Sequence, residues 1–446
     1  MLGIPALAAP LTWDRLIKSV NDDPRYQAAE KRTELTSGAQ GTKLWEKLEL
    51  RYQLDGFSFA KHDIELRMTP KRFGEGSADK ARYEAQNKYH KSRLDKDRSS
   101  LLYDRYYRAV HYIQKKRIAE LNKLLAQVNA DRIEVLHLKA GSQNFDPEVL
   151  MRALEKDLDL KADLYSDSTS LLDDVSKLKV FVADFDSVSL DTTFLPTMEE
   201  IAKNIENGVQ VQDSYPAIAV AKNKRDSEKA RARQDATKET DYIGHVGIGY
   251  SLVLESLSKK YKDLDATDVA NGKEYYDDYA EEYWKKYPDG DGVLRKLVAD
   301  SDNRRTLDKF FMNVAIRLPF LDNNRDSELK TQVADLDAES DYMDVVRDVN
   351  LKVSRIAEEI TALMGQWKIQ KEFVEKVNAG SIFEQFANDA GSDPLLLLRA
   401  RESSLESDMK AIKLETEIYD LYLALLEYSG VLAREGVVNH LAEGLK

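Results

Sequence analysis

No cysteine occurs anywhere in the 446 residues. A four-cysteine zinc site, a thiol nucleophile and a disulfide framework are therefore excluded. The absence suits a compartment in which stray thiols would be oxidised. Proline and glycine are scarce as well, at ten and twenty. With 33% charged and 42% hydrophobic residues, that mix favours long solvated helices over a compact α/β enzyme. No apolar run reaches the ~18 residues that a membrane-crossing helix needs. The longest leucine run, Leu395 to Leu398, is a piece of a helix face. Any membrane contact therefore falls to β-strands. An excess of positive charge is missing too. The net charge of −13 leaves no basic field to draw in nucleic acid.

Reactive constellations are equally scarce. The six histidines, His62, His90, His111, His137, His245 and His440, form no H-E-x-x-H or similar metal-binding pair. Carboxylates that fall close together are what chance gives among 79 acidic residues. The glycines of "GHVGIGY" from Gly244 alternate with Val246, Ile248 and Tyr250. That is a strand with one crowded or lumen-lining face, not a phosphate loop. "DGDG" at Asp289–Gly292 lacks the remaining ligands of a calcium loop and reads as a tight turn. The basic run Lys222–Gln234 reads as a solvated helix face. No enzyme, metal or cofactor is implied.

What the chain does have is internal repetition. "KAGSQNFDPEVLMRALEKDL" from Lys139 and "DAGSDPLLLLRARESSL" from Asp389 share an Ala-Gly-Ser turn, then Asp-Pro, then L-x-R-A-x-E-x-x-L. Two short helices open each half, the second beginning at Pro24 or Pro216. Strands follow. Leu48, Leu50, Tyr52 and Leu54 alternate with Glu49, Arg51, Gln53 and Asp55, and Ile64, Leu66 and Met68 with Glu65, Arg67 and Thr69. The second half gives "HVGIGYSLVLE" and "FMNVAIRLPF" in the same period of two.

Long helices come next. Val349, Val353, Ile356, Ile360, Leu363 and Trp367 step by four and three, as do Leu414, Ile418, Leu421, Leu425 and Tyr428. This is a coiled-coil seam. In the first half Tyr106, Val110 and Ile113 form one segment and Ile118, Leu121, Leu125 and Val128 another. The Ala-Gly-Ser…Asp-Pro segments are then the reversal points of two helical hairpins. Gly141, and Gly380 or Gly391, end the incoming helix. Asp146 and Asp393 cap the returning one, with Pro147 and Pro394 in its first turn.

The expected division is as follows. Residues 1–10 are an export-signal remnant, with the A-x-A form at Ala6-Leu7-Ala8, or disordered. Residues 11–194 form a first repeat, with strands about 44–55 and 62–70 and a tip near 140–147. Residues 195–433 form a second, with strands about 244–255 and 310–320 and a tip near 379–394. An enlarged loop, 256–309, sits between the strands of the second repeat, and 434–446 is a tail.

The order of these parts, doubled at matching lengths over about residues 11–433, resembles the TolC-like outer-membrane factor family. The resemblance is carried by "LTWDRLIKSVNDDPRYQAA", "LPTMEEIAKNIENG", "NVAIRLPFLDNNRDSEL" and the two tips. It implies a mainly α fold with a small β part: long antiparallel coiled-coil hairpins, plus four amphipathic strands per chain contributing to a trimeric twelve-stranded β-barrel. It implies the exit duct of a tripartite efflux pump or type I secretion system. Such a duct lies in the outer membrane of a Gram-negative bacterium, extends into the periplasm, and works with a periplasmic adaptor and an inner-membrane transporter. Under it, Glu49, Arg51, Gln53, Glu65, Arg67, Asn313 and Arg317 face the lumen. Gly141, Ser142, Asp146, Glu148, Arg152, Gly391, Ser392, Asp393 and Arg399 meet the adaptor or gate the tip. Arg152 and Arg399 are expected to pair with carboxylates of a neighbouring hairpin or to cap the tip electrostatically. Few tryptophans lie in the strands, so only a thin aromatic girdle is expected. A soluble coiled-coil periplasmic scaffold is the rival reading; it accounts for the heptads but not for the strands.

Overall fold

The structure, a computed structural model, describes residues 9–37, 45–54, 61–72, 74–141, 145–206, 209, 211–239, 243–253, 309–316, 325–378 and 393–445. The elements run α1 (Trp13–Lys18), α2 (Pro24–Ser37), β1 (Trp45–Leu54), β2 (Lys61–Pro70), α3 (Glu75–Lys139), α4 (Pro147–Phe181), α5 (Met198–Glu206), α6 (Pro216–Glu239), β3 (Ile243–Val253), β4 (Lys309–Ile316), α7 (Arg325–Asn378), α8 (Pro394–Ser429) and α9 (His440–Glu443). The fold is mainly helical with one small sheet, as the patterning indicates. Two compact units emerge, and each draws on both halves of the chain. One is helical, from 1–39, 85–227 and 337–446; the other holds the strands, from 40–84 and 228–336.

In the helical unit the heptad positions form the core. Tyr106, Val110, Ile113, Val353, Ile360, Ile418, Tyr422, Leu423 and Leu425 are all buried in one cluster. Each buried leucine or isoleucine contributes about 1.5–3 kcal/mol. The two segments read for the first hairpin are one unbroken helix, α3, which contains no proline and whose one glycine, Gly76, lies in its first turn. Helix α3 bonds α4 through Asn129 to the Ala153 carbonyl (3.0 Å) and Lys115 to Asp174 (2.7 Å). On its other side it bonds α8 through Arg117 to Glu415 (2.5 Å) and His111 to Asp420 (2.9 Å). Helix α8 in turn meets α7, where the Trp367 indole N–H donates to Glu415 (3.1 Å). Helix α3 thus bonds both α4 and α8, and α8 also bonds α7.

The two flanking helices are apolar on two sides. On α4, Ala153 and Leu160 are buried, whereas Met151, Leu158, Tyr165 and Leu172 recur every seventh residue and are exposed. Positions two apart on a helix differ by about 200°, so these are opposite faces. On α7, Val349 and Trp367 are buried while Leu351 and Ile369, two residues on, are exposed. The basic run on α6 is less solvated than its composition suggests. Lys224 pairs with Asp341 (3.1 Å), and Arg225 pairs with Glu339 (3.2 Å) while lying 4.6 Å from the Tyr342 ring. Helix α8 ends at Gly430 with φ 78°, where a Cβ would lie 2.7 Å from the Pro216 ring.

The sheet unit has four antiparallel strands in the order β1-β2-β3-β4. Their registers place apolar residues in rows across all four: Leu48–Met68–Val246–Val314, then Leu50–Leu66–Ile248–Met312, then Tyr52–Ile64–Tyr250–Phe310. This face has no helix over it among the described residues, and Leu50 is 74% and Phe310 82% exposed. The last row is the one richest in aromatic residues. Three aromatic rings share one level, with Tyr250 and Phe310 centroids 4.8 Å apart.

Candidate functional site

The expected site residues fall into two groups, one in each unit. The first is the tip of the helical unit. Helix α3 ends at Lys139. Gly141 follows, but it is not among the glycines with positive φ, and nothing lies within 4 Å of where its Cβ would be. It is not the left-handed cap that the sequence suggested; that device occurs at Gly430. Asp146 caps α4, its side chain accepting from the Glu148 N–H (2.9 Å), with Pro147 opening the helix. Asp393 caps α8 in the same way, accepting from the Leu395 N–H (3.0 Å). Both bonds satisfy donors that a helix start leaves open.

The caps differ in what else they touch. Asp393 also accepts from Lys139 at 2.6 Å, which ties the end of α3 to the start of α8. The Lys139 ammonium, then the Leu395 N–H, hold the Asp393 carboxyl below its ordinary value, and Arg399 adds to the effect. Arg152 pairs with Glu148 one turn back on its own exposed helix face. Arg399 is exposed on α8. The cross-hairpin cations are lysines and an arginine deeper in. Glu402 of α8 accepts from Arg132 of α3 (3.3 Å) and from Lys156 of α4, and Lys156 also reaches Glu406 (2.8 Å). Burial alone would lower the Lys156 pKa; its bonds to Glu402 and Glu406 outweigh this and raise it. Glu402 and Glu406 share a helix face four residues apart, which is legible. Their partners, about 250 positions away, are not.

The second group is the polar face of the sheet. Register places Glu49, Arg67, Gly247 and Asn313 in one row, and Arg51, Glu65, Gly249 and Phe311 in the next. Gln53 shares a third row with Asp63 and Ser251. Arg67 donates twice to Glu65, from Nε at 3.2 Å and Nη2 at 3.0 Å, and Asn313 bonds the same carboxylate. A Cβ at Gly247 would strike both Glu65 and Asn313, and one at Gly249 would strike the Phe311 ring. The "GHVGIGY" glycines therefore keep this face clear for longer neighbours. Glu65 and Asn313, on β2 and β4, bridge over β3. Phe311 fills the hollow above Gly249, as aromatic residues do beside strand glycines.

The helical unit also holds an open cleft of about 510 Å³, lined by Thr197, Met198, Trp367, Lys371, Glu415 and Tyr419. Its two most buried polar groups, Glu415 and Tyr419, are already engaged. Trp367 and Arg117 bond Glu415, and the Tyr419 hydroxyl donates to the Pro196 carbonyl (2.8 Å). Among the described residues no group of three or more His, Asp or Glu could hold a metal, and no helix is long and apolar enough to cross a membrane.

No protein-family model matches the chain, and no curated protein matches it in sequence. Solved structures do match in fold. The open-state MtrE outer membrane channel of Neisseria gonorrhoeae has a TM-score of 0.61 at 12% identity, over 100% of this chain and 94% of that one. The outer membrane protein VceC of Vibrio cholerae has 0.58 at 11%, over 97% of each. The CmeC outer membrane channel of Campylobacter jejuni has 0.58 at 9%, over 100% and 94%. The fold is that of the TolC-like outer-membrane channels. At these identities the likeness is one of architecture, so any reading of the site rests on this chain's own residues. Ser142, Gly391, Ser392 and Arg317 lie outside the described residues, as do the 256–308 stretch of the enlarged loop and residues 1–8.

Proposed function

We propose that three copies of this chain form a passive outer-membrane duct. It carries substrates from the periplasm to the exterior within a tripartite efflux pump or type I secretion system. The observation that carries this reading is the sheet. Four strands with an exposed apolar face and one partner each for β1 and β4 among the described residues leave two open edges. Lipid tolerates no open edge, and four strands are too few to close, whereas twelve from three copies suffice. The helical unit supports it independently. Its flanking helices α4 and α7 carry exposed apolar stripes, as head-to-tail packing in a ring requires. The sheet's apolar rows then face lipid, and Glu49, Arg51, Gln53, Glu65, Arg67 and Asn313 face the lumen. The tip residues Gly141, Asp146, Glu148, Arg152, Asp393 and Arg399 are the proposed contact with a periplasmic adaptor.

Light scattering on detergent-extracted protein from fractionated membranes tests this. A protein mass near three chains, recovered from the outer-membrane fraction, is the expected result. A monomer or dimer that stays soluble without detergent would leave the strands with no barrel to close and would end the duct reading.

A further inference from the structure

The two central rows of the polar face are each electrically balanced. The first pairs the carboxylate of Glu49 with the guanidinium of Arg67; the second pairs Arg51 with Glu65. Neighbouring residues on one side of a strand are about 7 Å apart. That is within the ~8 Å over which salt screens charge at physiological ionic strength. The rows therefore also offset one another. Direct bonds reinforce this: Arg67 grips Glu65 with two N–H groups, and Arg51 lies 3.9 Å from Glu49, which Lys47 of the next row also reaches. Asn313 reaches across Gly247 to the same Glu65 carboxylate, and its own Oδ1 is left with no protein partner. Ser251 Oγ on this face is likewise without one.

We infer that Glu49, Arg51, Glu65 and Arg67 form two charge-balanced rings in the strand-built wall, so that this segment passes solutes of either sign. The inference rests on the proposed duct and adds its substrate class: the barrel segment discriminates by size and not by charge. In three copies each row brings three carboxylates and three guanidinium groups. Rings of one charge sign select the opposite ion; balanced rings do not. Glu65 is the group held in check, and Arg67 with Asn313 holds it.

The test uses the full chain, reconstituted as trimers in planar bilayers under a KCl gradient, with the reversal potential giving the cation-to-anion permeability ratio. Arg67→Gln leaves three carboxylates unbalanced and should raise that ratio by about threefold or more. Glu65→Gln should move it the opposite way, and Arg67→Lys should restore the starting value. A merely structural role for the pair would change trimer yield and leave the ratio of the surviving channels unmoved. Should Arg67→Gln not assemble, Arg51→Gln, on a side chain that is 55% exposed, makes the same charge change in the same wall. Channels that conduct with unchanged ratios in both the arginine and the glutamate variants overturn the inference and leave the duct standing. Wild-type trimers that never conduct overturn both.

Discussion

Leu423 and Leu50 are the same side chain in opposite circumstances. Leu423 is fully buried in the helical unit, and Leu50 is 74% exposed on the sheet. The helical unit follows the usual rule that large apolar groups leave water. The sheet reverses it along three successive rows, and it does so with a regular period of two rather than at scattered positions. A single exposed leucine needs no explanation, but a contiguous apolar face does. The difference teaches that the two units are built for different solvents. One supplies its own core. The other has an apolar face that no helix among the described residues covers, as the proposed lipid-facing wall would have.

The most forceful way to break this comparison is to truncate both leucines. Leu423→Ala should cost about 2–5 kcal/mol in chemical denaturation, because it leaves a cavity in a packed core. Leu50→Ala should cost less than about 0.5 kcal/mol in detergent, since it removes nothing that is packed. Leu50→Arg should be tolerated in detergent yet cost about 2–4 kcal/mol in a bilayer, if the residue lies near mid-depth. Equal losses for the two alanine variants would mean that the sheet has a hidden core, and the lipid-facing assignment would fall.

Much of this contrast is legible in the sequence, for physical reasons that also set the limit. Alternation of Leu48, Leu50 and Tyr52 with Glu49, Arg51 and Gln53 fixes the strand and its two faces, because a strand repeats every two residues. The three-and-four stepping through Val353, Ile360 and Trp367 fixes the buried side of α7 in the same way. The Asp-Pro pairs at Asp146 and Asp393 fix the helix starts, since capping is local. What depends on how distant elements slide past one another is not legible. Asp174 looks like a solvated acid, yet it is buried against Lys115. The outer stripe of α4 looks like core by spacing alone, and only the packing shows which of its two apolar faces is covered. The aromatic row Tyr52, Tyr250 and Phe310 needs the strand register, and the Arg132–Glu402–Lys156 cluster needs the hairpins side by side.

Glycine sharpens the comparison at a smaller scale, because the sheet is tightly packed at Gly247 and the helical unit is open at Gly365. At Gly247 a side chain would collide with Glu65 and Asn313, so Gly247→Val should cost about 1–3 kcal/mol and detach Glu65 from Asn313. At Gly365, inside α7, a Cβ would meet nothing within 4 Å. Gly365→Ala should therefore stabilise by up to about 1 kcal/mol through helix propensity alone. Melting curves of both variants in the same detergent decide the matter. A loss at Gly365 would show that another copy packs closely there, and a gain at Gly247 would remove the bridge over β3.

The smallest expected effect separates the two tips of the helical unit. Among the described residues Asp146 caps only α4, whereas Asp393 caps α8 and holds Lys139 as well. The Lys139 and Asp393 side chains are 39% and 43% exposed, so solvent screens the pair and Lys139→Ala should cost no more than about 1 kcal/mol. Its pH dependence is the more telling signature. The Asp393 carboxyl is held below its ordinary value, first by Lys139 and then by the Leu395 N–H. Its contribution is therefore complete above the unfolded value of about 3.9 and is lost as the pH falls through the lower folded value. The difference in melting temperature between wild type and Lys139→Ala should accordingly be present at neutral pH and vanish in strong acid. A difference that persists after Asp393 is protonated would come from Lys139 packing and not from the ion pair. The tie between the end of α3 and the cap of α8 would then be steric, and the two tips would be electrostatically alike.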